Sequence, residues 1–230
     1  MLKDTSKTVV INFFAGPGTG KSTCASRLFA ELKDLGISCE NVEEYAERKT
    51  WEGSVGLLQD QFLVSAKQRH AILMSAQSCD IVITDSPILL GAAFASQLDL
   101  AAGLVDTLSK YTQQFCNFNI LLQRGDRPYD PNGRNQTYEE ACKLDTKIVN
   151  VLEALYSGEL YDAWGFSESC GCSLCIDMSK GSKLAVMKIL TALRKRSIIP
   201  EVPVPDVRRK EMERIAARLG GRASQIFSNW

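Results

Sequence analysis

Five short apolar runs alternate along the chain with longer segments in which apolar residues recur every three or four positions. The first run, KTVVINFF at 7–14, is rich in β-branched residues and ends in a glycine-rich loop. Four more follow, at 37–45, 80–87, 118–123 and 173–178. The run at 80–87 is fully apolar in its centre, which is typical of a parallel strand covered by helices on both sides, whereas the run at 37–45 is more polar.

Helical periodicity fills the intervals between the apolar runs. After the glycine loop, Leu28, Leu32 and Leu35 recur at helical spacing before Gly36. Further helices are predicted at 54–77, where Leu58, Phe62, Ala66 and Ile72 share one side, and at about 99–115, 137–157 and 181–196. Strands that alternate with helices of this length predict an α/β three-layer sandwich with a five-stranded parallel sheet.

A proline-rich segment, SIIPEVPVP at 198–206, separates this alternation from the last residues. Proline cannot continue a helix and suits an extended spacer, so we predict a main domain at 1–197 and a linker with a small helical extension at 198–230. Within the extension, Ala216, Gly220 and Ile226 have the spacing of a helix-turn-helix. DNA contact, docking onto the main domain and oligomerisation remain alternative roles for it.

Charge is unevenly distributed although the net formal charge is zero. Residues 180–230 carry twelve Lys or Arg and four Asp or Glu, so residues 1–179 carry fifteen against twenty-three. A basic tail on an acidic body is typical of contact with a polyanion such as DNA, and the alternative is a solvated helix face.

The chain has no apolar run of 18 residues and no signal-peptide pattern, so we expect a cytoplasmic protein with no membrane partner.

The eight cysteines of the chain are scattered, as reduced thiols are. Only Cys170, Cys172 and Cys175 are clustered, and His70 is the one histidine. Packing of small residues is the preferred interpretation of the cluster, with metal binding as the alternative.

The glycine-rich loop matches the phosphate-loop (P-loop) pattern from Ala15 to Ser22, with alanine at its first glycine. Its position between a strand and a helix makes the match specific, because backbone N–H groups and the helix N-terminus then surround a phosphate. We expect ATP to be held by the loop and the first helical turn, through Gly16, Pro17, Gly18, Thr19, Gly20, Lys21, Ser22 and Thr23. Lys21 is expected at the β- and γ-phosphates, and Ser22 with Asp85, which ends an apolar strand, at Mg²⁺.

Further charged residues predict the acceptor side of a transfer reaction. Arg124, Arg127 and Arg134 lie in a Gly/Pro/Asn-rich loop that we interpret as a lid over the γ-phosphate. Glu44 is the preferred carboxylate for the acceptor hydroxyl and Glu43 the reserve, since neighbours in a strand point to opposite faces. Gln61, Phe62 and Arg69 are candidate acceptor contacts.

Together, AGPGTGKST, EEYAE, TDSP and RPYDPNGRN resemble the P-loop nucleoside and nucleotide kinases over residues 7–195. The chain is similar to ribosylnicotinamide kinases, with Tyr129 where those have tryptophan, and to phage P-loop kinases that phosphorylate 5-hydroxymethyluracil in DNA. The resemblance implies Mg-ATP-dependent phosphate transfer to a hydroxyl, with Glu44 or Asp85 near the acceptor.

Three functions follow as hypotheses. The preferred one is a kinase in nucleotide or DNA metabolism that phosphorylates a nucleoside-type acceptor. A modified base within DNA is included among these acceptors. The second is a kinase of ribosylnicotinamide or of a free nucleoside or nucleotide. The third is a DNA-binding P-loop ATPase that has no acceptor, which the arginine-rich lid disfavours.

Overall fold

A single parallel sheet forms the centre of the molecule. The computed structural model describes residues 3–101, 103–126, 128–130, 136–156 and 174–201. The strands are β1 (Val9–Phe14), β2 (Cys39–Val42), β3 (Ile81–Thr84), β4 (Cys116–Gln123) and β5 (Leu174–Asp177), in the spatial order β2-β3-β1-β4-β5. All four strand pairs are parallel. The predicted α/β fold with a five-stranded parallel sheet is confirmed.

Eight α-helices are formed by the described residues. They are α1 (Lys21–Asp34), α2 (Tyr45–Trp51), α3 (Gln61–Ala76), α4 (Gly91–Phe94), α5 (Gln97–Ala101), α6 (Leu104–Thr112), α7 (Tyr138–Tyr156) and α8 (Ser182–Lys195). Short 3-10 turns precede α3, α4 and α8 at Val55–Gln59, Ile88–Leu90 and Met178–Lys180.

Alternate side chains of β1 divide the core into two layers. Ile11 and Phe13 pack with the buried faces of α1 and α8, whereas Val10 and Phe14 pack with α3, α6 and α7. All four are buried, and burying one such side chain stabilises the fold by about 1.5–3 kcal/mol. The position of β1 in the middle of the sheet, with β3 and β4 beside it, leaves its carboxyl end at the centre of one sheet edge.

The helix predicted over 54–77 begins later than expected. A 3-10 turn occupies Val55–Gln59, and Asp60 then caps α3, its Oδ1 accepting from the Leu63 N–H at 2.9 Å. This side chain satisfies one of the N–H groups that lack an intrahelical partner at a helix start. Ala66, which was assigned to the apolar side, is exposed, and the buried side of α3 instead carries Gln61, Ser65 and Gln68.

A second helix, predicted at about 99–115, is divided into α5 and α6. Gly103, at the start of α6, has a φ of +78°, a conformation that favours glycine and ends the preceding turn. The helices predicted at 137–157 and 181–196 are present as α7 and α8.

Contacts divide the chain into Met1–Ile199 and Pro200–Trp230. The helix-turn-helix prediction falls outside the described residues, as do Cys170 and Cys172, so the tail and the 197/198 boundary stay predictions. Cys175 lies in β5. Within the described ranges, no three His, Cys, Asp or Glu side chains are placed to share a metal ion, and no helix is long and apolar enough to cross a bilayer.

Candidate active site

The phosphate loop connects the carboxyl end of β1 to the N-terminus of α1. Gly18 and Gly20 have φ values of +81° and +105°, so the loop needs glycine at these two positions for its backbone conformation. The Thr19 hydroxyl donates to the Gly16 carbonyl at 3.0 Å, and Lys21 Nζ donates to the Ala15 carbonyl at 3.0 Å. These bonds fold the loop around the positive end of α1, where an anion is favoured.

A partly buried ion pair holds the loop in place. Arg124 follows β4 and donates from Nε to Asp145 Oδ2 at 2.7 Å and from Nη2 to Asp145 Oδ1 at 3.2 Å. The same Nη2 donates to the Pro17 carbonyl at 2.9 Å, and the Gly16 N–H donates to Asp145 Oδ1 at 2.8 Å. We call these four residues the loop clamp. The role of Arg124 at the γ-phosphate stays a prediction. Its contacts with Asp145 and Pro17 position the loop.

Aromatic side chains cover the outer side of the loop. The Tyr129 ring lies against Gly18, because a Cβ added there would approach Tyr129 Cε2 to 2.7 Å. The Tyr129 hydroxyl donates to the Gln136 carbonyl at 2.6 Å, and its ring meets Tyr138 edge-on at 5.9 Å between centroids. A hydrogen bond with Cys142 raises the pKa of the Tyr138 phenol. Arg127 and Arg134, the other predicted lid arginines, lie outside the described residues.

A cavity of about 330 Å³ opens beside the phosphate loop. Its walls are Pro17, Lys21 and Ser22 of the loop, α2 with Glu44 before it, the Val55–Gln59 turn, α3, and the segment that follows β3. We call this space the acceptor pocket. Its volume lies at the lower end of the ~300–1,000 Å³ range of small-molecule sites, so it is suited to a ligand smaller than ATP.

The two neighbouring glutamates have different surroundings. Glu44 is half-buried, stands at the start of α2 and lines the acceptor pocket. Glu43 has a 73% exposed side chain that pairs with Arg48 at 3.6 Å on the surface. The structure therefore places Glu44, the preferred residue, at the pocket and Glu43 in solvent.

Asp85 lies immediately after β3 and is 6% exposed. Since β3 is parallel to β1 and adjacent to it, Asp85 and the phosphate loop share the same sheet edge. The Ser22 hydroxyl and the Asp85 carboxylate are oxygen donors of the kind that Mg²⁺ prefers, so the residues present fit this ion.

Gln68 links three elements of the pocket wall through hydrogen bonds. Its Nε2 donates to Thr84 Oγ1 at 3.2 Å, and its Oε1 accepts from the Tyr45 N–H at 3.2 Å. The start of α2 is thereby fixed to α3 and to the end of β3, which holds Glu44 next to the pocket.

Of the acceptor contacts predicted on α3, only Gln61 lines the pocket. Phe62 packs into the core layer beneath α3. Arg69 lies 4.5 Å from the Tyr111 ring and donates to Gln114 Oε1 at 2.8 Å, which directs it toward α6. Asp145 and Ser65 were not predicted. Ser65 has a sequence signal, since Gln61, Ser65 and Gln68 recur at helical spacing, whereas Asp145 has none.

Comparison with known proteins finds one matching family model and several solved structures of similar fold. An AAA domain family model matches residues 10–159. The crystal structure of NadR protein in complex with NR aligns with a TM-score of 0.56 and 14% identity, covering 86% of this chain and 53% of that one. The chain thus spans about half the length of the NadR chain. No curated protein matches the sequence significantly.

Two further solved structures align less closely. Deoxyadenosine kinase from M. mycoides with bound dATP has a TM-score of 0.46 and 15% identity, with coverage of 80% of this chain and 99% of that one. Shikimate kinase from Acinetobacter baumannii in complex with shikimate has a TM-score of 0.42 and 16% identity, with coverage of 85% and 97%.

The likeness to NadR is one of fold, since the two sequences are 14% identical. The resemblance to P-loop nucleotide kinases that the sequence motifs indicated is therefore confirmed at the level of the fold. With its family model matched over 150 of its 230 residues, from 10 to 159, the chain belongs to the AAA domain family.

Proposed function

We propose that this protein is an ATP-dependent kinase that transfers the γ-phosphoryl group to a hydroxyl of a nucleoside-type acceptor. One observation supports this most directly: the acceptor pocket opens onto Lys21 and Ser22 and has Glu44 in its wall. An ATPase without an acceptor requires only a water molecule beside the γ-phosphate. A second, small-molecule-sized space next to the phosphate loop favours transfer to an alcohol.

In the proposed reaction, the acceptor oxygen forms a bond to the γ-phosphorus while the bond from that phosphorus to the β–γ bridging oxygen breaks. The bridging oxygen keeps the electron pair and leaves as part of ADP. The phosphate-loop N–H groups and Lys21 stabilise the charge on the phosphate oxygens. Glu44 orients the acceptor hydroxyl and takes its proton.

The residues that would hold Mg²⁺ are Ser22 and Asp85. When bound with ATP, the ion neutralises charge on the β- and γ-phosphate oxygens. The loop clamp has a separate role, because Arg124 and Asp145 bond the backbone of Pro17 and Gly16 and so keep the loop in one shape.

The acceptor is proposed as nucleoside-type for two reasons. The pocket combines apolar walls with amide, hydroxyl and carboxylate groups, which suits a base and a sugar. The NadR protein that shares this fold was solved in complex with NR. A modified base in DNA is the proposed alternative acceptor, and the basic charge of residues 180–230 is the observation that favours it.

Transfer of labelled γ-phosphate from Mg-ATP tests the proposal. The acceptors are free nucleosides, nucleotides, ribosylnicotinamide, and duplex DNA with and without 5-hydroxymethyluracil. Lys21→Ala should abolish labelling, and Glu44→Gln should lower kcat by about 10²–10⁴-fold with little change in ATP affinity. Glu43→Gln is the matched control and should retain wild-type turnover, because that side chain faces solvent. Phosphate release without a labelled acceptor would contradict the kinase assignment.

A further inference from the structure

The acceptor pocket contains a buried hydroxyl that the fold itself does not satisfy. Ser65, on the buried side of α3, is 3% exposed and lines the pocket. Its Oγ has no hydrogen-bond partner among the described residues. A buried hydroxyl without a partner destabilises the folded state, so such a group usually has a functional or solvent-filled explanation.

A glycine lies directly against this hydroxyl. Gly91 has an ordinary helical backbone, with a φ of −53°, so its conformation does not require glycine. A Cβ at this position would lie 2.4 Å from Ser65 Oγ and 3.5 Å from Gln61 Oε1. A side chain at Gly91 would therefore collide with Ser65 Oγ, so glycine at this position lets the hydroxyl lie where it does in the pocket wall.

Gln61 supplies a second hydrogen-bonding group at the same end of the pocket. Its Nε2 donates to the Leu58 carbonyl at 2.6 Å, which fixes the orientation of the amide. Its Oε1 accepts no hydrogen bond from the residues that the structure describes. Ser65 and Gln61, one helical turn apart on α3, thus present a hydroxyl and a carbonyl oxygen side by side.

The charges around the pocket favour an uncharged occupant. Glu44 and Glu47 line it, and Lys21 of the phosphate loop is the one cation among the described lining residues. Arg69 of α3 does not line the pocket, because its side chain contacts Tyr111 and Gln114. Among the described lining residues, a phosphate or carboxylate on the acceptor would meet two carboxylates and no cation other than Lys21, which is expected to bind the ATP phosphates.

We propose that Ser65 and Gln61 bind an uncharged hydrogen-bonding group of the acceptor, of the kind found on the edge of a nucleobase or a carboxamide. The part of the acceptor that enters the pocket carries no phosphate or carboxylate. This inference rests on the proposed kinase function and narrows its acceptor to an unphosphorylated nucleoside unit, free or presented by a longer chain.

Substitution of Ser65 by alanine tests the inference in the full-length protein. Ser65→Ala should raise the KM for the labelled nucleoside by roughly 3- to 10-fold, the value of one hydrogen bond, and leave the KM for ATP unchanged. The melting temperature should stay the same or rise, because the variant removes an unsatisfied buried group. Ser75→Ala, on the same helix outside the pocket, is the matched control and should change neither KM.

A direct binding measurement separates this inference from the proposed function. Tryptophan fluorescence titrations compare each nucleoside with its own 5′-monophosphate in the presence of ADP. The nucleoside should bind about tenfold more tightly, since the phosphate meets Glu44 and Glu47. Gly91→Ala should abolish nucleoside binding and retain ADP binding, because its Cβ displaces Ser65 Oγ from its position in the pocket wall.

Three results would overturn the inference. Equal or tighter binding of the monophosphate, with phosphate transfer to it, leaves the kinase proposal intact but refutes the uncharged acceptor. A lower melting temperature of Ser65→Ala with both KM values raised assigns Ser65 a structural role. Absence of both binding and transfer for every nucleoside refutes the inference and the kinase proposal together.

Discussion

Asp145→Asn is the perturbation with the most specific expected consequence for the phosphate loop. The asparagine can keep one oxygen for the Gly16 N–H, which lies 2.8 Å from Oδ1 in the native protein. Its amide nitrogen then replaces Oδ2, the atom that accepts from Arg124 Nε at 2.7 Å. Two donors face each other there, and the Arg124 charge loses its partner.

The magnitude follows from the burial of the pair. The side chains of Arg124 and Asp145 are 13% and 27% exposed, so water replaces the lost contact only in part. A hydrogen bond to a charged group contributes about 1.5–3 kcal/mol, and with partial exposure we expect a loss of about 2 kcal/mol in the free energy of unfolding. For a chain of this size, that corresponds to a fall of about 4–8 °C in the melting temperature.

ATP affinity should fall with stability, because the same pair holds the backbone of Gly16 and Pro17. We expect the Kd for Mg-ATP to rise by roughly 3- to 10-fold, the equivalent of about one hydrogen bond. Thermal unfolding and calorimetric titration with a non-hydrolysable ATP analogue measure the two effects. Both are read on the full-length protein.

Glu40→Gln provides the matched control for Asp145→Asn. Glu40 pairs with Lys33 at 3.5 Å, and the two side chains are 50% and 43% exposed. Exposed pairs contribute about 0–1 kcal/mol, so the melting temperature should move by no more than about 4 °C and the Kd for ATP should not move. If Asp145→Asn behaves like this control in both assays, the loop clamp has no role in shaping the phosphate site.

Two further predictions use contacts elsewhere in the fold. Gly18→Ala should weaken ATP binding, because its Cβ would lie 2.7 Å from the Tyr129 ring. The control is Gly36→Ala, which has a similar φ of +74° and no atom within 4 Å of the added Cβ, so it should lower only the free energy of unfolding. Equal ATP affinity in the two variants would contradict this prediction. Burial raises the pKa of the Cys39 and Cys79 thiols above their ordinary value of 9.0. The unfolded chain therefore ionises these thiols first, and the free energy of unfolding should fall as the pH rises above about 9. Urea unfolding at pH 8 and pH 10 should show a smaller fall for Cys39→Ala, and an unchanged fall would refute the assignment.

The predictable part of the molecule is the part specified by local sequence. The phosphate loop was found because its glycines, lysine and serine act within eight consecutive residues between a strand and a helix. Most of the strands were found because β-branched and apolar residues are concentrated in short runs, and the more polar β2 was found from its place between two helical patterns. The start of α3 was missed because Asp60 acts as a cap, and the surrounding apolar pattern continues through it.

Side-chain direction accounts for most of the remaining differences. Gln61 and Arg69 lie on the same helix and were both expected at the acceptor, but only Gln61 lines the pocket. Arg69 is directed elsewhere by Tyr111, a residue of α6 that covers that side of α3. Helical spacing shows which residues share a side of α3. Which side faces the pocket is decided by the elements that pack against the helix.

The sequence by itself determined the parallel α/β architecture and the phosphate loop, since both depend on periodicity and on residues that are neighbours in the chain. Only the tertiary structure decided how the loop is anchored and what lies beside it. Asp145 reaches the Gly16 N–H across 129 residues, and Ser65 meets the space beside Gly91 through the packing of α3 against α4. Such contacts leave no periodic signal because they are formed when the helices pack onto the sheet.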